Sequence, residues 1–437
     1  MELMEQIVSR TNIQRAVEKV RANKGTSGID GIKVNDLEGF MRQNWERIRS
    51  ELLEGRYKPQ AVKGVKIPKK NGKTRLLGIP TVIDRVIQQA INQVIMPIWE
   101  KDFHPHSYGF RPNRSTQQAA DKALDFINNE NRKFIISLDL SQFFDTVNHD
   151  KLMGLLRKKI TDKRVLSLIR KFLVTGIFMG EELLKREKGT PQGSPLSPLL
   201  ANILLNELDW EIGKRGISFV RYADDIYIFA RSHLSARRNL HRIKKFITNK
   251  LDLVVNMEKT KIVKPKHLRI LGFVLVQNFR KGAKGFMLKI DPENWENLKY
   301  KLKEITRKTA GMSIQERIDK ILPLMRGFVN YYRKATGYEK YKSLDGWLRN
   351  RLRYCIWHDW KRPKKRAEGL RKLGVKPRLS AQYANTRMGG WAVAQSPIMK
   401  TTVTEKVLQK KGYISFTDYY VSLKYPLPKS QLSITFL

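Results

Sequence analysis

The most informative segment of the chain is Ile217-Ser-Phe-Val-Arg-Tyr-Ala-Asp-Asp-Ile-Tyr-Ile-Phe-Ala230. Two runs of apolar and β-branched residues flank the short acidic turn Ala223-Asp224-Asp225, and this pattern predicts a β-hairpin. Two adjacent carboxylates at the tip of a hairpin repel each other unless a cation lies beside them. The turn therefore indicates a divalent metal site. A solvated Asp-Asp turn is the alternative for this motif taken alone.

A further acidic residue, Asp139, ends a separate apolar strand predicted for residues 134–140. Burying an unpaired carboxylate there is costly, so Asp139 needs a partner. If this strand pairs beside the hairpin, Asp139 and Asp224 can hold two Mg2+ ions roughly 3.5 to 4 Å apart, the arrangement that serves phosphoryl transfer. The sequence contains no other carboxylate cluster that predicts a comparable site.

The composition favours a nucleic-acid partner. The chain has 437 residues, with 85 Lys and Arg against 41 Asp and Glu, and a formal net charge of +44. Such a surplus repels itself unless a polyanion neutralises it, whereas a merely solubilising surface mixes both signs.

The same composition excludes several classes of protein. No uncharged apolar stretch approaches the ~20 residues that span a bilayer, so we expect no membrane role. The single cysteine, Cys355, excludes an internal disulfide framework and zinc sites built from several thiolates. The polar N-terminus has no secretory signal, which predicts a cytoplasmic protein, and its charge predicts association with nucleic acid.

The chain shows a mixed α and β pattern. Helices are predicted after the N-cap candidates Thr81 and Ser115, and a second hairpin is predicted between residues 268 and 290. Three amphipathic helices are predicted from residue 291 to 360. Residues 281–370 contain 23 Lys and Arg against 10 Asp and Glu, so this helical region is a candidate nucleic-acid clamp.

The segment Lys66-Ile-Pro-Lys-Lys-Asn-Gly-Lys-Thr-Arg75 has the pattern of a basic hairpin. Lys69 and Arg75 are candidates to hold the β- and γ-phosphates of a nucleotide. Gly72-Lys-Thr74 is similar to part of a phosphate-binding loop, but that motif needs glycine at position 67, where Ile67 stands. We therefore reject a nucleotide hydrolase.

Two aromatic residues, Phe143 and Phe144, follow Asp139 closely. One of the rings can pack beneath an incoming sugar and exclude a 2′-hydroxyl, and the alternative is that both are core residues. In the segment 189–198, the glycines allow backbone to approach a ligand and Gln192 can donate to a base or a phosphate. A Pro- and Gly-rich surface loop is the alternative there.

Seven short segments occur in a fixed order along the chain: Ile79-Pro-Thr81, Tyr108-Gly-Phe-Arg-Pro112, Asp139-Leu-Ser-Gln-Phe-Phe-Asp145, Thr190-Pro-Gln-Gly193, Tyr222-Ala-Asp-Asp225, Asn256-Met-Glu-Lys259 and Leu271-Gly-Phe273. In this order they resemble the blocks of group II intron-encoded reverse transcriptases. Two later segments, Arg326-Gly-Phe-Val-Asn-Tyr-Tyr332 and Trp347-Leu-Arg-Asn-Arg-Leu-Arg353, resemble the thumb or maturase segment of that family.

The resemblance implies an α+β right-hand polymerase, with fingers and palm made of an antiparallel sheet plus helices, a helical thumb and a small C-terminal module. It implies an N-terminal extension and start of the fingers at 1–80, a fingers and palm core at 81–290, a thumb or maturase domain at 291–366 and a DNA-binding module at 367–437. With one cysteine and a chain that ends at Leu437, we expect the shorter type without an HNH endonuclease domain.

The resemblance also assigns roles to individual residues. The implied metal ligands and catalytic acids are Asp139, Asp224 and Asp225. Lys259 is implied to protonate pyrophosphate, and a surface lysine is its alternative. The implied nucleotide-binding residues are Lys69, Arg75, Leu140, Phe143, Phe144 and Gln192. The implied primer grip is Leu271, Gly272 and Phe273, and the implied template or RNA contacts are Asn23, Lys24, Gly25 and Arg111.

The activity implied by the resemblance is RNA-directed DNA polymerisation with two Mg2+ ions, for which Mn2+ can substitute. The implied partners are intron RNA, an RNA template with a DNA or RNA primer, target DNA and dNTPs, in intron splicing and mobility. A cellular reverse transcriptase recruited to phage defence, repair or CRISPR spacer acquisition is an alternative. A splicing factor with a vestigial polymerase site is another, although all three acids are present. The oligomeric state stays open.

Overall fold

The structure is a computed structural model that describes residues 2–68, 72, 74–180, 182–279 and 285–425. The chain divides into two compact units, residues 1–268 and residues 269–437. Both units combine helices with antiparallel strands, so the fold is α+β, as the sequence predicts. In the described part of the chain, no helix is both long enough and apolar enough to cross a membrane.

The first unit alternates helices with short strands. Its helices are α1 Leu3–Ile7, α2 Arg10–Ala22, α3 Leu37–Leu53, α4 Val82–Glu100, α5 Thr116–Asn128, α6 Phe143–Thr146, α7 His149–Arg157, α8 Lys163–Val174, α9 Ser197–Lys214 and α10 His233–Phe246. Its strands are β1 Val62–Pro68, β2 Thr74–Ile79, β3 Phe134–Leu138, β4 Ile177–Met179, β5 Glu182–Leu184, β6 Ser218–Tyr222, β7 Asp225–Ala230 and β8 Lys261–Val263.

One four-stranded sheet of this unit has the order β6-β7-β3-β8, and all neighbouring strands run antiparallel. The predicted hairpin at residues 217–230 is confirmed as β6 and β7. The predicted strand at residues 134–140 is confirmed as β3, which pairs with β7. The central strands of this sheet, β7 and β3, are buried on both faces. This agrees with their sequences, which are nearly continuous apolar runs rather than alternating patterns.

The core of the first unit packs around the long apolar helices α4 and α9. Helix α4 begins at the predicted N-cap Thr81, whose Oγ1 accepts a hydrogen bond from Asp84 N at 3.1 Å. Helix α5 begins at Ser115, which forms a reciprocal capping box with Gln118. Each cap satisfies a backbone N–H that helix geometry leaves free, which is worth about 1 kcal/mol. Both predicted helix starts are therefore confirmed.

A second sheet of the first unit has the order β2-β1-β4-β5. Strands β1 and β2 are antiparallel and pair Ile67 with Arg75, so the predicted basic hairpin is confirmed. Strand β4 adds to β1 in parallel. The predicted nucleotide ligand Lys69 lies outside the described residues, and Arg75 is described only through its backbone.

The second unit starts with a three-stranded antiparallel sheet and continues in helices. Its strands are β9 Arg269–Ile270, β10 Phe273–Gln277 and β11 Phe286–Ile290. Its helices are α11 Pro292–Ile305, α12 Ile314–Tyr331, α13 Tyr338–Asp359, α14 Pro363–Lys372, α15 Pro377–Ala384, α16 Gly390–Gln395, α17 Pro397–Thr402, α18 Glu405–Gln409 and α19 Phe416–Lys424. The three amphipathic helices predicted between residues 291 and 360 are confirmed as α11, α12 and α13.

The last part of the described chain, where the sequence pattern is weak, forms the short helices α14 to α19. A buried carboxylate on α13 holds the final helix in place. Asp345 accepts hydrogen bonds from the backbone N–H groups of Phe416 at 2.8 Å and Thr417 at 2.9 Å. These N–H groups belong to the first turn of α19, where a negative charge is stabilising.

Candidate active site

The acidic turn, residues Tyr222–Asp225, joins β6 to β7. Tyr222 and Asp225 form the last strand pair, and Ala223 between them has a φ of 57°. A non-glycine residue in this left-handed region is strained unless surrounding contacts hold it there. The turn is therefore tight, and it places the two adjacent carboxylates of Asp224 and Asp225 at one end of the sheet.

Strand pairing brings Asp139 to the same end of the sheet. The β3–β7 register pairs Leu138 with Ile226, so the next residues, Asp139 and Asp225, face each other where the strands end. The backbone of Asp139 is fixed on its other side, because its N–H donates to Thr260 Oγ1 at 3.2 Å and its carbonyl accepts from Asn256 N at 2.8 Å.

A lysine approaches this group of carboxylates. Lys259 Nζ lies 3.4 Å from Asp139 Oδ2, and the lysine side chain is 62% exposed. The side-chain oxygen of Asn256 accepts from Lys259 N at 3.3 Å and shapes the turn that carries the lysine. The site thus contains three acids and one cation close to them.

The electrostatics of Asp225 reflect this excess of negative charge. The Asp225 side chain reaches solvent, yet the surrounding protein displaces enough water to raise its pKa, and the charges of Asp224 and Asp139 raise it further, to about 6. A raised carboxyl pKa means that the ionised form is under-compensated in the protein alone. Three acids that offer carboxylate oxygens at one end of the sheet fit a divalent cation.

The three acids are spread more widely than the ligands of a single closed metal site. Among the described residues, only Glu2, Glu5 and Asp162 offer three candidate ligand atoms within 4.8 Å of one another. Arg164 forms ion pairs with all three members of that group. Each acid of that group is therefore already engaged by the same arginine side chain. A wider spread is compatible with a site that holds two ions.

A buried ion pair lies directly behind the acidic turn. Arg221 and Asp209 have side-chain exposures of 0% and 1%. Arg221 Nε and Nη2 donate to the Asp209 carboxylate, while Nη1 donates to Asn202 Oδ1 at 2.8 Å and to the carbonyl of Ala223 at 2.9 Å. The pair therefore holds the strained residue of the turn through a direct hydrogen bond.

A glycine completes this support. Asn202 Nδ2 donates to the carbonyl of Gly109 at 2.8 Å. A Cβ atom on Gly109 would lie 2.9 Å from Tyr222 C and 3.0 Å from Ala223 Cα, and nearer still to Ala223 N. Local sequence pattern does not assign a role to Arg221, Asp209, Asn202 or Gly109. An arginine inside an otherwise apolar strand was the available signal, because a buried charge needs a partner.

Arg111, predicted to contact template RNA, lies in the interior of the first unit. Arg111 is 8% exposed, and its guanidinium pairs with Glu100 at 2.7 Å. The same group donates to the carbonyls of His104 and Ser107, both at 2.8 Å. With its donors committed to these partners, Arg111 braces the loop between α4 and α5 from within. The sequence predicts an exposed side chain for an arginine in a loop motif, because the residues that bury it come from other parts of the fold.

The structure separates the two candidate aromatic residues. Phe143 is 3% exposed and belongs to the core, whereas Phe144 is half-buried and lines a cavity of about 640 Å3. Gln192 and Gly193 line the same cavity. The carbonyl of Phe144 accepts from Thr190 N at 2.6 Å, which ties the loop of Gln192 to Phe144.

This Phe144 cavity also receives part of the N-terminal loop. Asn23 and Gly25 line it, and Lys24 beside them is exposed. Arg85 of α4 donates to the carbonyl of Thr26, and a Cβ on Gly25 would lie 2.5 Å from the Arg85 guanidinium. The loop is therefore held closely on α4. Leu140, another predicted nucleotide contact, is 6% exposed, so its side chain is largely withdrawn from solvent.

The predicted primer grip belongs to the second unit. Leu271 and Gly272 form the turn between β9 and β10, and Phe273 is fully buried. Tyr331 Oη donates to the carbonyl of Leu271 at 3.0 Å, and a Cβ on Gly272 would lie 2.6 Å from Tyr332 Oη. Tyr331 and Tyr332, at the C-terminal end of α12, therefore hold this turn. Its role in primer binding stays a prediction.

Comparisons with known proteins agree with this arrangement. A family model described as reverse transcriptase (RNA-dependent DNA polymerase) matches residues 67–275. A model described as group II intron, maturase-specific domain, matches residues 295–374. A reverse transcriptase domain is a divalent-metal-dependent polymerase, and the two domains together imply nucleic-acid partners, intron RNA in particular.

Three curated relatives extend the comparison. The chain is 33% identical over 274 residues to protein YkfC of Escherichia coli (strain K12), covering 54% of this chain and 72% of YkfC. It is 37% identical over 235 residues to the group II intron-encoded protein LtrA of Lactococcus lactis subsp. cremoris, covering 53% of this chain and 38% of LtrA. It is 24% identical over 433 residues to the putative COX1/OXI3 intron 1 protein of Saccharomyces cerevisiae, covering 78% of this chain and 50% of that protein.

The chain thus spans less than two fifths of LtrA and half of the yeast intron protein. Its two matched domains nevertheless occur in the order in which the sequence blocks and the two folded units occur. The chain belongs to the group II intron-encoded reverse transcriptases, a family of RNA-directed DNA polymerases.

Proposed function

We propose that this protein copies group II intron RNA into DNA with two Mg2+ ions held by Asp139, Asp224 and Asp225, and that Mn2+ can substitute. The observation that carries the proposal is the strand register, in which Asp139 follows β3 opposite Asp225 and Asp224 occupies the adjoining turn. The raised pKa of Asp225 supports it, because burial and the nearby charges of Asp224 and Asp139 both disfavour the ionised carboxylate, and a cation would offset both.

Divalent ions at these carboxylates would lower the pKa of the attacking 3′-hydroxyl and neutralise the pyrophosphate that leaves. Lys259, 3.4 Å from Asp139 Oδ2, would donate a proton to that pyrophosphate. The exposed lysine can swing between Asp139 and a ligand because its long side chain is not packed. The ion pair with Asp139 keeps the lysine close to the site in the meantime.

The Phe144 cavity would hold the incoming nucleotide. Phe144 would pack against the sugar and exclude a 2′-hydroxyl, while Gln192 would donate to the base or a phosphate. Lys69, which lies outside the described residues, and Arg75 would hold the β- and γ-phosphates. The buried Leu140 side chain would contribute by shaping the backbone next to Asp139 rather than by exposing its own surface.

The remaining parts of the chain would handle the nucleic acids. Asn23, Lys24 and Gly25 would contact the template, and Leu271, Gly272 and Phe273 would position the primer strand. In the proposed organisation, residues 1–80 are the N-terminal extension and start of the fingers, 81–290 the fingers and palm, 291–366 the maturase thumb and 367–437 the DNA-binding module. Splicing assistance, target-DNA binding and use of dNTPs belong to the same proposal.

Primer extension on an RNA template tests the polymerase proposal. We expect Asp224→Asn and Asp139→Asn to abolish extension with Mg2+, because each removes a charged ligand while keeping the side-chain shape. Binding of intron RNA, measured by filter retention, should be unchanged in both variants. Asp121→Asn in α5 is the matched control, since it makes the same change at a half-buried acid that is not one of the three proposed metal ligands. Wild-type extension rates in the Asp224→Asn enzyme would refute the assignment.

A further inference from the structure

The second unit contains a groove of about 810 Å3 between helices α11 and α13. Its lining residues recur every three or four positions along both helices, so each helix presents one continuous face to the groove. Trp391 of α16 contributes to the lining from the C-terminal part of the unit. All of these residues belong to the same compact unit.

Aromatic rings in this groove are open to solvent. Tyr300 is 65% exposed, Trp391 is 39% exposed and Trp347 is half-buried. By contrast, Trp295 and Tyr341 of the same two helices are 5% and 0% exposed and form part of the core. Large aromatic side chains that remain accessible offer free faces on which a planar ligand can stack.

The groove is also positively charged. It is lined by four cations, Lys299, Lys303, Lys340 and Arg351, and by one acid. That acid, Glu296, lies 3.6 Å from Lys299 and can neutralise only one of them. The groove therefore attracts anions while its exposed rings favour planar apolar groups, and a nucleotide chain combines both features.

The wall of the groove is held rigidly on one side. The Arg351 guanidinium lies 5.7 Å from the centre of the Trp347 ring and donates to the carbonyl of Thr306 at 2.8 Å and to Thr306 Oγ1 at 2.9 Å. These hydrogen bonds tie α13 to the C-terminal end of α11. Arg351 and Trp347 thus form a fixed cation and ring pair, and a ligand entering the groove meets a preorganised surface.

We propose that this groove binds an unpaired segment of RNA by stacking its bases on Tyr300, Trp347 and Trp391. The lysines of the groove neutralise the phosphates of that segment. Bases in a duplex are already stacked on each other and turn only their edges and backbone outward, so a free base face requires unpaired RNA. The choice of RNA rests on the proposed maturase function, because most of the groove lies within the maturase-specific domain, residues 295–374.

Photo-crosslinking locates the site in the full chain. A short unstructured RNA containing 5-iodouridine is irradiated with the protein, and the crosslinked peptides are identified by mass spectrometry. We expect crosslinks at Tyr300, Trp347 or Trp391. An excess of the unlabelled single strand should compete for these crosslinks, and the same RNA annealed to its complement should not. Absence of groove crosslinks, or equal competition by duplex, would overturn the proposal.

Substitutions then separate stacking from charge and from hydroxyl hydrogen bonding. Tyr300→Ala should weaken binding, read from the crosslink at Trp347 or Trp391, by about 5- to 150-fold, the value of one base–aromatic stack. Tyr300→Phe should retain wild-type binding because it keeps the ring. If Tyr300→Phe binds as weakly as Tyr300→Ala, the hydroxyl rather than the ring face makes the contact, and the stacking proposal is wrong.

Two control variants remove the same kinds of side chain, a tyrosine and a lysine, outside the groove. Tyr425→Ala removes a ring that is 71% exposed and does not line the groove. Lys301→Ala removes a charge from α11 outside the groove, as the counterpart of Lys303→Ala within it. Only the groove variants should reduce the crosslink. Equal loss in Lys301→Ala and Lys303→Ala would show that overall charge, rather than the groove, determines binding.

Primer extension distinguishes failure of this inference from failure of the polymerase proposal. Tyr300→Ala should extend a primer on a short unstructured template at the wild-type rate, because neither proposed nucleotide nor metal contacts are altered. If the wild-type protein fails to extend primers, the polymerase proposal is refuted. The crosslinks in the groove still test whether the groove binds unpaired RNA. Circular dichroism of each variant, which should match the wild type, establishes that the exposed substitutions leave the fold intact.

Discussion

Arg221 and Asp209 form a buried ion pair, with Arg221 Nη2 2.6 Å from Asp209 Oδ2, on the side of the acidic turn that faces the protein interior. Arg221 also donates to the carbonyl of Ala223, the strained residue of that turn. The charge pair is thus connected to Asp224 by a single hydrogen bond and one peptide unit. This relationship makes the position of the carboxylates depend on a pair of residues that does not contact solvent.

Breaking this pair should impair both folding and catalysis. Asp209→Asn leaves the Arg221 charge buried and under-compensated, which should lower the free energy of unfolding by about 3 to 5 kcal/mol. The double variant Arg221→Met with Asp209→Leu should recover much of that stability, since apolar replacement of a buried pair is often neutral. The primer-extension rate of this double variant should stay at least about tenfold below the wild-type rate, because the carbonyl of Ala223 loses its hydrogen-bond donor.

Urea unfolding and single-turnover extension at increasing Mg2+ concentration measure the two effects separately. A shifted turn should raise the Mg2+ concentration needed for half-maximal rate, which a loss of stability alone does not do. If the stable double variant extends primers like the wild type at every Mg2+ concentration, the pair contributes stability only.

Gly109 should be intolerant of any side chain. Its Cβ would overlap the backbone of Tyr222 and Ala223, so Gly109→Ala must displace the acidic turn. We expect extension to fall by about 100-fold, the usual effect of a misplacement near 1 Å at a reacting group. Gly154→Ala in α7 is the matched control, because nothing lies within 4 Å of its added Cβ. It should be active and slightly more stable, and equal activity of the two variants would contradict the packing argument.

The two neighbouring phenylalanines should respond differently to truncation. Phe144→Ala opens the cavity beneath the proposed sugar position, so incorporation of rNTPs relative to dNTPs should rise by at least about tenfold. Phe143→Ala removes a core ring and should cost roughly 3 to 5 kcal/mol of stability. Parallel extension assays with dNTPs and rNTPs, together with thermal unfolding, compare the two. An unchanged sugar preference in Phe144→Ala would exclude it as the sugar gate.

Arg111→Ala should destabilise the protein without changing the salt dependence of its affinity for RNA. The substitution leaves Glu100 and two backbone carbonyls without their donor, and we expect a loss of roughly 3 kcal/mol. A residue that contacts phosphate would instead reduce the slope of log affinity against log salt by about one. Urea unfolding and RNA binding at several salt concentrations test this. If the slope of log affinity against log salt falls while the free energy of unfolding is unchanged, Arg111 contacts RNA as the sequence predicts.

The protein should lose stability in mild acid through His106. Burial lowers the pKa of His106 to about 4, helped by the nearby positive charges of His104, Lys122 and Arg114 and opposed by Glu130. Because the folded-state pKa lies below the ordinary value of about 6.5, the contribution to stability is complete above pH 6.5 and decreases as the pH falls towards 4.

His106→Phe should reduce this acid sensitivity. The new ring can keep the packing on Phe126 and Phe219, whose centres lie 5.2 Å and 5.6 Å from the His106 ring, and it cannot be protonated. Urea unfolding at pH 7 and pH 5 should show a smaller loss of stability in the variant than in the wild type. Identical losses would mean that His106 does not take up a proton on unfolding.

Local pattern was sufficient for much of the architecture. The apolar runs around Asp224, the N-caps Thr81 and Ser115 and the periodicity of α11 to α13 are properties of contiguous residues, so they could be recognised without a fold. Asp139 was also recognisable, because a carboxylate at the end of an apolar strand is costly unless it has a partner. The helices of the C-terminal part are only five to ten residues long, too short for a clear periodic pattern, and were missed.

Packing between remote segments settled the questions that local pattern left open. Phe143 and Phe144 are adjacent and identical in chemistry, and only the neighbouring loop at Gln192 makes one a cavity residue and the other a core residue. Arg111 belongs to a loop motif and Arg221 to an apolar strand, yet both are buried against a remote partner, Glu100 and Asp209 respectively. Burial depends on which elements lie against a residue, and that information is distributed over the whole chain.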